Sequence, residues 1–280
     1  MAVLYPRFPG GLTKVLTLSY DDGVEQDVRL IEILNQYGLK ATFNLNSGCY
    51  SEDGESFPEG EVHRTLSWKR AEALYKNSGH EIAVHSKTHP FLEQLPSNMV
   101  LQELLYDRNA LEQQFHTIVR GMAYPFGTYN DEVIACAQKA GLVYGRTIKK
   151  DTSFRLPNDW FQIRPTTHHH DADLMELAQK FVDSQPKREP IMFYLWGHGY
   201  EFEMFDEWEI IETFASFMGN RTEIWYATNI EIYDYLRAYH RLEFATDGSF
   251  VQNPSAIPVW FIMDGELFCV EAGNVLDIKR

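Results

Sequence analysis

Short apolar segments typical of β-strands alternate with amphipathic helix-type segments along most of the chain, and this alternation restricts the possible folds more than any other feature. Segments such as "VLTLSY" and "IMFYLW" are short and mostly apolar, as buried strands are. By contrast, "VRLIEILNQYG" and "NDEVIACAQKAG" repeat apolar residues at helical spacing and end at a glycine. A strand–helix–strand succession predicts a parallel sheet with crossover helices. Seven or eight such units favour a closed or nearly closed β/α barrel over an open sheet.

Two segments interrupt this rhythm. Residues 47–66 are polar, glycine-rich and acidic, and predict a long loop or small hairpin at one end of the barrel. From Arg241 onward apolar and polar residues alternate around the turns Asp247–Gly248 and Asp264–Gly265, which predicts a small antiparallel β extension. We therefore expect a barrel domain over residues 1–240 and an extension over residues 241–280. The predicted barrel strands are Val15–Tyr20, Ala41–Asn46, Glu81–Val84, Gly121–Tyr124, Leu142–Arg146, Phe161–Arg164, Ile191–Trp196 and Ile224–Ala227.

Composition excludes several classes of protein. The formal net charge of −15 over 280 residues disfavours nucleic acid and anionic membranes as partners, because both are polyanions. The three cysteines include no CxxC pair, so neither a disulfide framework nor a thiolate zinc site is indicated. The first residues lack a signal-peptide pattern, and no apolar run approaches the ~18 residues of a membrane span. We therefore expect a cytoplasmic protein.

Ionisable residues follow several of the predicted strands directly. Asp21 and Asp22 end the first, His85 and His89 of "HSKTH" follow the third, and His198 follows the seventh. Singly, each has an ordinary explanation: a solvated turn, a chance HxxxH spacing or a buried core histidine. In a β/α barrel, however, the carboxyl ends of the strands meet at one mouth, which is where active sites lie. The position of all five residues at this mouth therefore predicts an active site there.

The residue types at this mouth suit metal-dependent hydrolysis. Two histidines four residues apart, sharing one face of a helical turn, can bind one ion together with one carboxylate. Such a set leaves an open position, as hydrolytic zinc sites require. The second carboxylate is then available as a general base, and His198 is suited to protonate a leaving amine.

The segments "SYDDG", "HSKTH", "AYPFG" and "WGHGYEF" resemble, in order and spacing, motifs of the polysaccharide deacetylase family, carbohydrate esterase family 4. The resemblance covers about residues 14–240 and implies a distorted, incomplete (β/α)7-8 barrel. It implies one divalent metal, zinc first, with cobalt, nickel or manganese also compatible. It further implies that the main-chain amide of Phe126 binds the oxyanion of the tetrahedral intermediate. The implied roles are Asp21 as general base, Asp22, His85 and His89 as metal ligands, and His198 as general acid.

The chain departs from the family pattern at three places. Ala123 stands where many members have an arginine that pairs with the base, so Arg164 or Arg146 is expected to replace it. Trp196, two residues before His198, is expected to reshape the acyl pocket, and the fourth motif is only echoed by "NDW" at Asn158–Trp160. The predicted oxyanion and substrate-binding residues are Tyr124, Pro125, Phe126, Trp160, Arg164 and Trp196.

The run "TTHHHD" adds a further group of histidines. Consecutive side chains point in different directions, so at most one or two of His168, His169 and His170 can join one site. We expect one of them to line the cleft and none to be a primary metal ligand; the alternative is a plain loop with a helix cap at Asp171. Tyr200 and Glu201 are further cleft candidates.

Three functions are compatible with these residues. The first is metal-dependent removal of an N-acetyl or other acyl group from an amino sugar or oligosaccharide. The second is hydrolysis of another small linear or cyclic amide at the same site, and the third is a non-catalytic carbohydrate-binding barrel. The complete set of acid, base and ligand residues favours an enzyme, because a binding protein needs neither acid nor base. The expected partner is a small-molecule or oligosaccharide substrate, and a homo-oligomer stays open because the β extension could pair with a second copy.

Overall fold

The computed structural model describes residues 3–278, and within this range the chain forms strands and helices in alternation. The strands are β1 Leu4–Arg7, β2 Lys14–Asp21, β3 Ala41–Leu45, β4 Glu81–Val84, β5 Gly121–Ala123, β6 Tyr144–Arg146, β7 Thr167–His168, β8 Ile191–His198, β9 Trp225–Tyr226, β10 Glu243–Phe244, β11 Phe250–Gln252, β12 Val259–Met263, β13 Glu266–Val270 and β14 Val275–Asp277. The α-helices are α1 Asp27–Gln36, α2 Trp68–Tyr75, α3 Ser97–Phe115, α4 Asp131–Lys139, α5 Leu174–Asp183, α6 Gly199–Met204, α7 Trp208–Met218 and α8 Asn229–His240. None of these helices has both the length and the apolar character that a membrane crossing needs.

The central sheet is parallel, in the order β6-β5-β4-β3-β2-β8-β7, with β9 beside the first half of β2. Strands β2 and β3 are buried along their whole length, as expected for a sheet covered on both faces. The two edges of the sheet approach each other, because Ile163 forms an isolated parallel bridge with Arg146 shortly before the chain enters β7. The sheet is therefore a curled, incomplete barrel, which confirms the predicted fold class.

The register of the central strands fixes the position of the site. Asp21, the last residue of β2, lies opposite His198 of β8 on one side and Asn44 of β3 on the other. These three polar side chains consequently meet at the carboxyl ends of adjacent strands. Below them the sheet and helices enclose an apolar core that includes the fully buried Leu18 and Phe193.

The strand predicted at Phe161–Arg164 is not present. Trp160–Gln162 forms a 3-10 turn instead, because the Asp159 carboxylate accepts hydrogen bonds from the Phe161 amide and the Gln162 side chain. Pro165 lacks an N–H and cannot donate to a ladder. The strand that pairs with β8 begins later, at Thr167.

The residues after 240 form antiparallel structure, with one three-stranded sheet in the order β10-β11-β14 and another in the order β1-β12-β13. The turn between β12 and β13 is Asp264–Gly265, where both residues have positive φ. Strand β1 pairs along its length with β12, so residues 4–7 join the sheet of the extension and not the barrel. The domain division at residue 240 stays a prediction.

Candidate active site

Asp22, His85 and His89 form a group of ligand-type side chains at the barrel mouth, with donor atoms within 4.8 Å of one another. The Nε2 atoms of His85 and His89 are 3.2 Å apart. They lie 3.7 and 3.8 Å, respectively, from Asp22 Oδ1. The structure thus brings together the three residues predicted as metal ligands.

The sequence predicts that the two histidines share a helical turn, and this prediction is wrong. They lie on an irregular segment after β4, in which Ser86 and His89 have φ values of 61° and 54°. Asp22 and Phe126, across the mouth, also have left-handed φ values of 78° and 57°. Non-glycine residues in this conformation cost free energy, and their clustering is typical of functional sites.

Buried hydrogen bonds hold this segment in place. Asp107 of α3 accepts hydrogen bonds from the amides of His85 and Ser47 through its two carboxylate oxygens, at 3.2 and 2.7 Å. Asn46 donates to the Ser86 carbonyl at 2.8 Å. Thr88 donates through its amide and hydroxyl to the Glu103 carboxylate, at 2.8 Å each.

The tautomer of His85 indicates what this group can hold. Its Nδ1 lies 2.9 Å from the Ala123 carbonyl oxygen, which can only accept, so Nδ1 carries the proton. The Nε2 of the neutral ring then directs a lone pair at Asp22 Oδ1 and, at 3.8 Å, at Asp21 Oδ2. Lone pairs that face carboxylates inside a protein repel unless a cation lies between them. A divalent metal therefore fits this donor set, and burial lowers the pKa of His89, which favours the neutral, metal-binding form.

Asp21 is buried beside this group, and both of its carboxylate oxygens have partners. Asn44 Nδ2 donates to Oδ1 at 2.8 Å, and Arg146 Nη2 donates to Oδ2. Burial by itself would raise the pKa of Asp21, but the charge of Arg146, followed by that of His198, lowers it below its ordinary value. Arg146 is itself buried, with its guanidinium 4.7 Å from the ring centre of Trp196. Of the two arginines expected to replace the missing one at position 123, the structure pairs Arg146 with Asp21.

His198 lies on the opposite side of Asp21, with its Nε2 3.9 Å from Asp21 Oδ2. Its Nδ1 lies 3.2 Å from Glu201 Oε2, which also accepts the His198 main-chain amide at 3.1 Å at the start of α6. Burial would lower the pKa of His198, but Glu201 and then Asp21 and Asp22 raise it to about 9. The imidazole is therefore held protonated at neutral pH, as a proton donor requires.

The same Glu201 oxygen is close to the histidine run. The Nε2 atoms of His168 and His169 lie 3.2 and 3.0 Å from Glu201 Oε2, whereas His170 turns toward Glu207 at 3.3 Å. The donor atoms of the three histidines and Glu201 all lie within 4.8 Å, which is close enough for a second metal.

The hydrogen bonds favour a different explanation of this second group. The His170 amide points at His168 Nδ1 at 3.3 Å, so in the neutral ring Nε2 carries the proton and donates to Glu201 instead of binding a cation. His169 is fully buried, and burial lowers its pKa to about 3. A side chain at Gly197 would collide with His169 Nδ1, 2.1 Å from the Cβ position, which explains the first glycine of "GHG".

Aromatic rings line the remaining wall of the mouth. Trp196 lies 4.6 Å from the His168 ring and 5.8 Å from the His198 ring, and Tyr200 lies 5.3 Å from His198. On the opposite rim, the Phe126 ring contacts the His89 ring at 4.5 Å. Phe91 stacks on Phe126 with centroids 3.9 Å apart and an interplanar angle of 13°, and both rings remain exposed.

Four predicted substrate-binding residues lie elsewhere. Tyr124 is buried and donates its hydroxyl to the Phe161 carbonyl, and Pro125 is buried beside it. Trp160 packs against Tyr233 of α8. Arg164 is exposed and lines a separate cavity with Asp159, among other residues. The first two are buried, and the last two lie in or next to the turn that replaces the expected strand.

Sequence reasoning missed several residues that shape the site. Asn44 is a polar residue within a buried strand, and that position could have marked it as a partner of Asp21. His63 places its Nε2 3.1 Å from Asp22 Oδ2. Burial would raise the pKa of Asp22, but the hydrogen bond from His63 lowers it well below its usual range. Asp107 had no signal in the sequence, since it is one of many polar residues on a long helix.

Residues 10–145 match the family model described as polysaccharide deacetylase. Over this stretch, which is just under half of its length, the chain resembles the polysaccharide deacetylase family. The matched stretch contains Asp21, Asp22, His85 and His89, and it ends before Arg146 and His198.

The curated proteins that this chain matches include two chitooligosaccharide deacetylases. The protein of Bradyrhizobium sp. (strain ANU 289) is 27% identical over 133 residues, which are 46% of this chain and 54% of the relative. That of Sinorhizobium fredii (strain NBRC 101917 / NGR234) is 26% identical over 140 residues, which are 49% and 58% of the two chains. The chain thus spans about half the length of the curated relatives that it matches.

Among solved structures, a Mycobacterium smegmatis protein classed with the polysaccharide deacetylases superposes with a TM-score of 0.60. The match covers 84% of this chain and 94% of that protein, at 15% sequence identity. At this identity the likeness supports the fold of this chain and carries no argument about its substrate.

Proposed function

We propose that this chain is a metal-dependent hydrolase that removes an N-acetyl or other acyl group from an amino sugar or oligosaccharide. The observation that carries the proposal is the orientation of His85, whose unprotonated Nε2 faces the carboxylates of Asp21 and Asp22 across a gap suited to a cation. The match of residues 10–145 to the polysaccharide deacetylase family model supports hydrolysis of an amide.

The residues proposed to hold the metal are Asp22, His85 and His89. Two neutral imidazoles and one carboxylate leave positions open for water and substrate, and zinc is the first choice for such a set. When bound, the cation supplies Lewis acidity, which lowers the pKa of water and polarises an acyl oxygen.

Asp21 is proposed to accept the proton of the attacking water. Its lowered pKa keeps the carboxylate ionised near neutral pH, and Asn44 and Arg146 fix the orientation of both oxygens. As the proton moves to Asp21, the water oxygen bonds to the acyl carbon and the carbonyl electrons move onto its oxygen. The proposed donor to that oxyanion is the main-chain amide of Phe126.

His198 is proposed to deliver the second proton. The C–N bond breaks as the protonated imidazole donates to the amine nitrogen, so the products are a free amine and a carboxylic acid. Glu201 positions His198 through both its ring and its main chain, and it keeps the ring protonated until transfer.

The exposed pair of Phe91 and Phe126 supports a sugar substrate. Aromatic ring faces pack well against the apolar faces of pyranose rings, and this pair lies directly beside His89. The names of the two chitooligosaccharide deacetylases agree with this substrate class.

The test is metal content of the purified protein together with acetate release from N-acetylglucosamine mono- and oligosaccharides, before and after chelation. We expect one metal per chain and acetate release that stops with chelator and returns with zinc. Bound metal without acetate from any sugar would overturn the substrate and direct attention to another amide. No metal after reconstitution would overturn the mechanism.

A further inference from the structure

His63 contacts the candidate metal centre from a loop that lies far from it in the sequence. The loop is the long polar segment between β3 and α2, and His63 Nε2 lies 3.1 Å from Asp22 Oδ2. The other oxygen of Asp22, Oδ1, is the one that faces His85 and His89. The two carboxylate oxygens of Asp22 are therefore divided between the loop and the candidate metal position.

The proton in this contact comes from His63. An ionised carboxylate can only accept, so Nε2 of His63 must carry the hydrogen. Among the residues described, His63 is also not a member of the group whose donor atoms lie within 4.8 Å of one another. The geometry of His63 is thus that of a residue that orients a metal ligand, and not that of a metal ligand itself.

The loop is fixed tightly enough to place this ring. Its end pairs with the segment that follows Asp22: the Glu25 amide donates to the Arg64 carbonyl at 2.8 Å, and the Leu66 amide donates to the Gly23 carbonyl at 2.9 Å. Chain direction reverses between the two segments, so His63 is directed back at Asp22.

Ion pairs of Arg64 fix the same loop from the other side. Arg64 donates through two nitrogens to the two carboxylate oxygens of Glu203 in α6, at 2.8 and 2.9 Å, and through Nε to Glu25 at 2.8 Å. The ring of Tyr200, also in α6, packs edge-on against His63 with centroids 4.8 Å apart. The imidazole is thereby held between Asp22 and α6 although its side chain is 46% exposed.

We infer that His63 is a positioning residue for the metal site: its Nε2–H holds Asp22 Oδ2 so that Oδ1 is presented to the cation. The inference rests on the proposed metal site. Hydrogen bonds of this kind to a metal-bound ligand typically change metal affinity by about 10–100-fold. The loop of residues 47–66 would then be part of the metal site as well as a wall of the cleft.

The experiment measures zinc affinity by competition with a chromogenic chelator, with no substrate present. His63→Ala should bind zinc about 10–100-fold more weakly than wild type, and His63→Gln should recover part of that loss, because its amide N–H can still donate to Asp22. His240→Ala, which removes an exposed histidine at the end of α8, is the matched control and should bind as wild type does. Thermal unfolding of the metal-free proteins checks that His63→Ala remains folded.

The possible failures are distinguishable. If wild type binds no zinc, the proposed metal site is wrong. If wild type binds zinc and His63→Ala binds it equally tightly, the metal site stands and the role of His63 is wrong. If Ala and Gln weaken binding equally, the hydrogen bond to Asp22 is not the cause, which also overturns the inference.

Discussion

Arg146 and Asp21 form an ion pair that is almost fully excluded from solvent, with 1% and 3% of their side chains exposed. The pair joins the end of β6 to the end of β2 across the sheet. Removing one member of a buried pair leaves an uncompensated charge, which typically costs about 3–5 kcal/mol.

We expect Arg146→Met to shift the acidic limb of the activity profile to higher pH. Arg146 lowers the pKa of Asp21, so without it the carboxylate stays protonated, and inactive as a base, up to a higher pH. The measurement is kcat/KM against pH, with Arg146→Lys to retain the charge if Arg146→Met does not fold. Arg164→Met, on an exposed side chain, is the control; a profile that moves with Arg164 and not with Arg146 would reverse the assignment.

Asp21→Asn and Asp22→Asn should separate catalysis from metal binding. Loss of the general base should lower kcat by about 10²–10⁴-fold while zinc stays bound, whereas loss of the ligand should remove zinc as well. Elemental analysis and acetate release are measured on the same samples. Near-wild-type turnover by Asp21→Asn would show that another group takes the proton.

Glu201→Gln should shift the alkaline limb of activity to lower pH. Glu201 raises the pKa of His198, which is about 9 in its presence, so without the carboxylate the imidazole loses its proton earlier as pH rises. The rate of amide hydrolysis should fall more than that of activated esters, because the leaving groups of these esters need less protonation. Glu209→Gln, exposed on α7, is the control; an unchanged alkaline limb would exclude the positioning role of Glu201.

Asp27 should make folding stability depend on pH. Burial raises its pKa to about 7, against a hydrogen bond from Tyr75 that lowers it. Between the ordinary pKa near 4 and about 7, the folded chain therefore binds a proton that the unfolded chain has lost, so its contribution to the free energy of unfolding falls as pH rises. Asp27→Asn cannot ionise, so the difference in free energy of unfolding between variant and wild type should change in favour of the variant by on the order of 2–4 kcal/mol from pH 4 to pH 8.

Urea unfolding of wild type and Asp27→Asn at several pH values measures this change. Asp277→Asn, which removes a carboxylate at the exposed strand β14, gives the effect of surface charge alone. Parallel pH curves for wild type and Asp27→Asn would contradict the expectation.

Phe91→Ala should raise KM for oligosaccharides about fivefold with little change in kcat, since an aromatic contact of this kind contributes roughly 1 kcal/mol. The ring is 41% exposed and supports Phe126 from behind. Phe250→Ala, which truncates an exposed ring in β11, is the matched control. A loss confined to kcat would mean that the pair shapes the reacting centre and does not bind the sugar.

The sequence predicts the barrel and the five central side chains because strand ends can be located without long-range information. Asp21, Asp22 and His198 follow strongly apolar runs, and parallel strands carry such residues to one edge. The pairing of Arg146 with Asp21 spans 125 residues and depends on how far the sheet curls. His63 reaches Asp22 because its loop folds back, and nothing local in "GEVHRTL" announces that reversal.

The wrong strand prediction before β7 also has a local cause. The sequence predicts a strand over Phe161–Arg164 that ends at Arg164, but the Asp159 side chain stabilises a turn there. Pro165 has no N–H to donate, and pairing with β8 begins at Thr167. Over so short a segment, hydrogen bonds between a side chain and the neighbouring main chain outweigh β propensity.

The pairing of β1 with β12 has a consequence for how the chain matures. Arg7 and Trp260 lie opposite each other in one ladder, so β1 is synthesised long before the strand that pairs with it. Until then β1 is an open edge beside a growing barrel, exposed to pairing with other chains. Strand β12 can therefore cover the edge of β1 only after the barrel segments have been made, and a chain interrupted before β12 would keep the whole proposed site yet remain prone to aggregation.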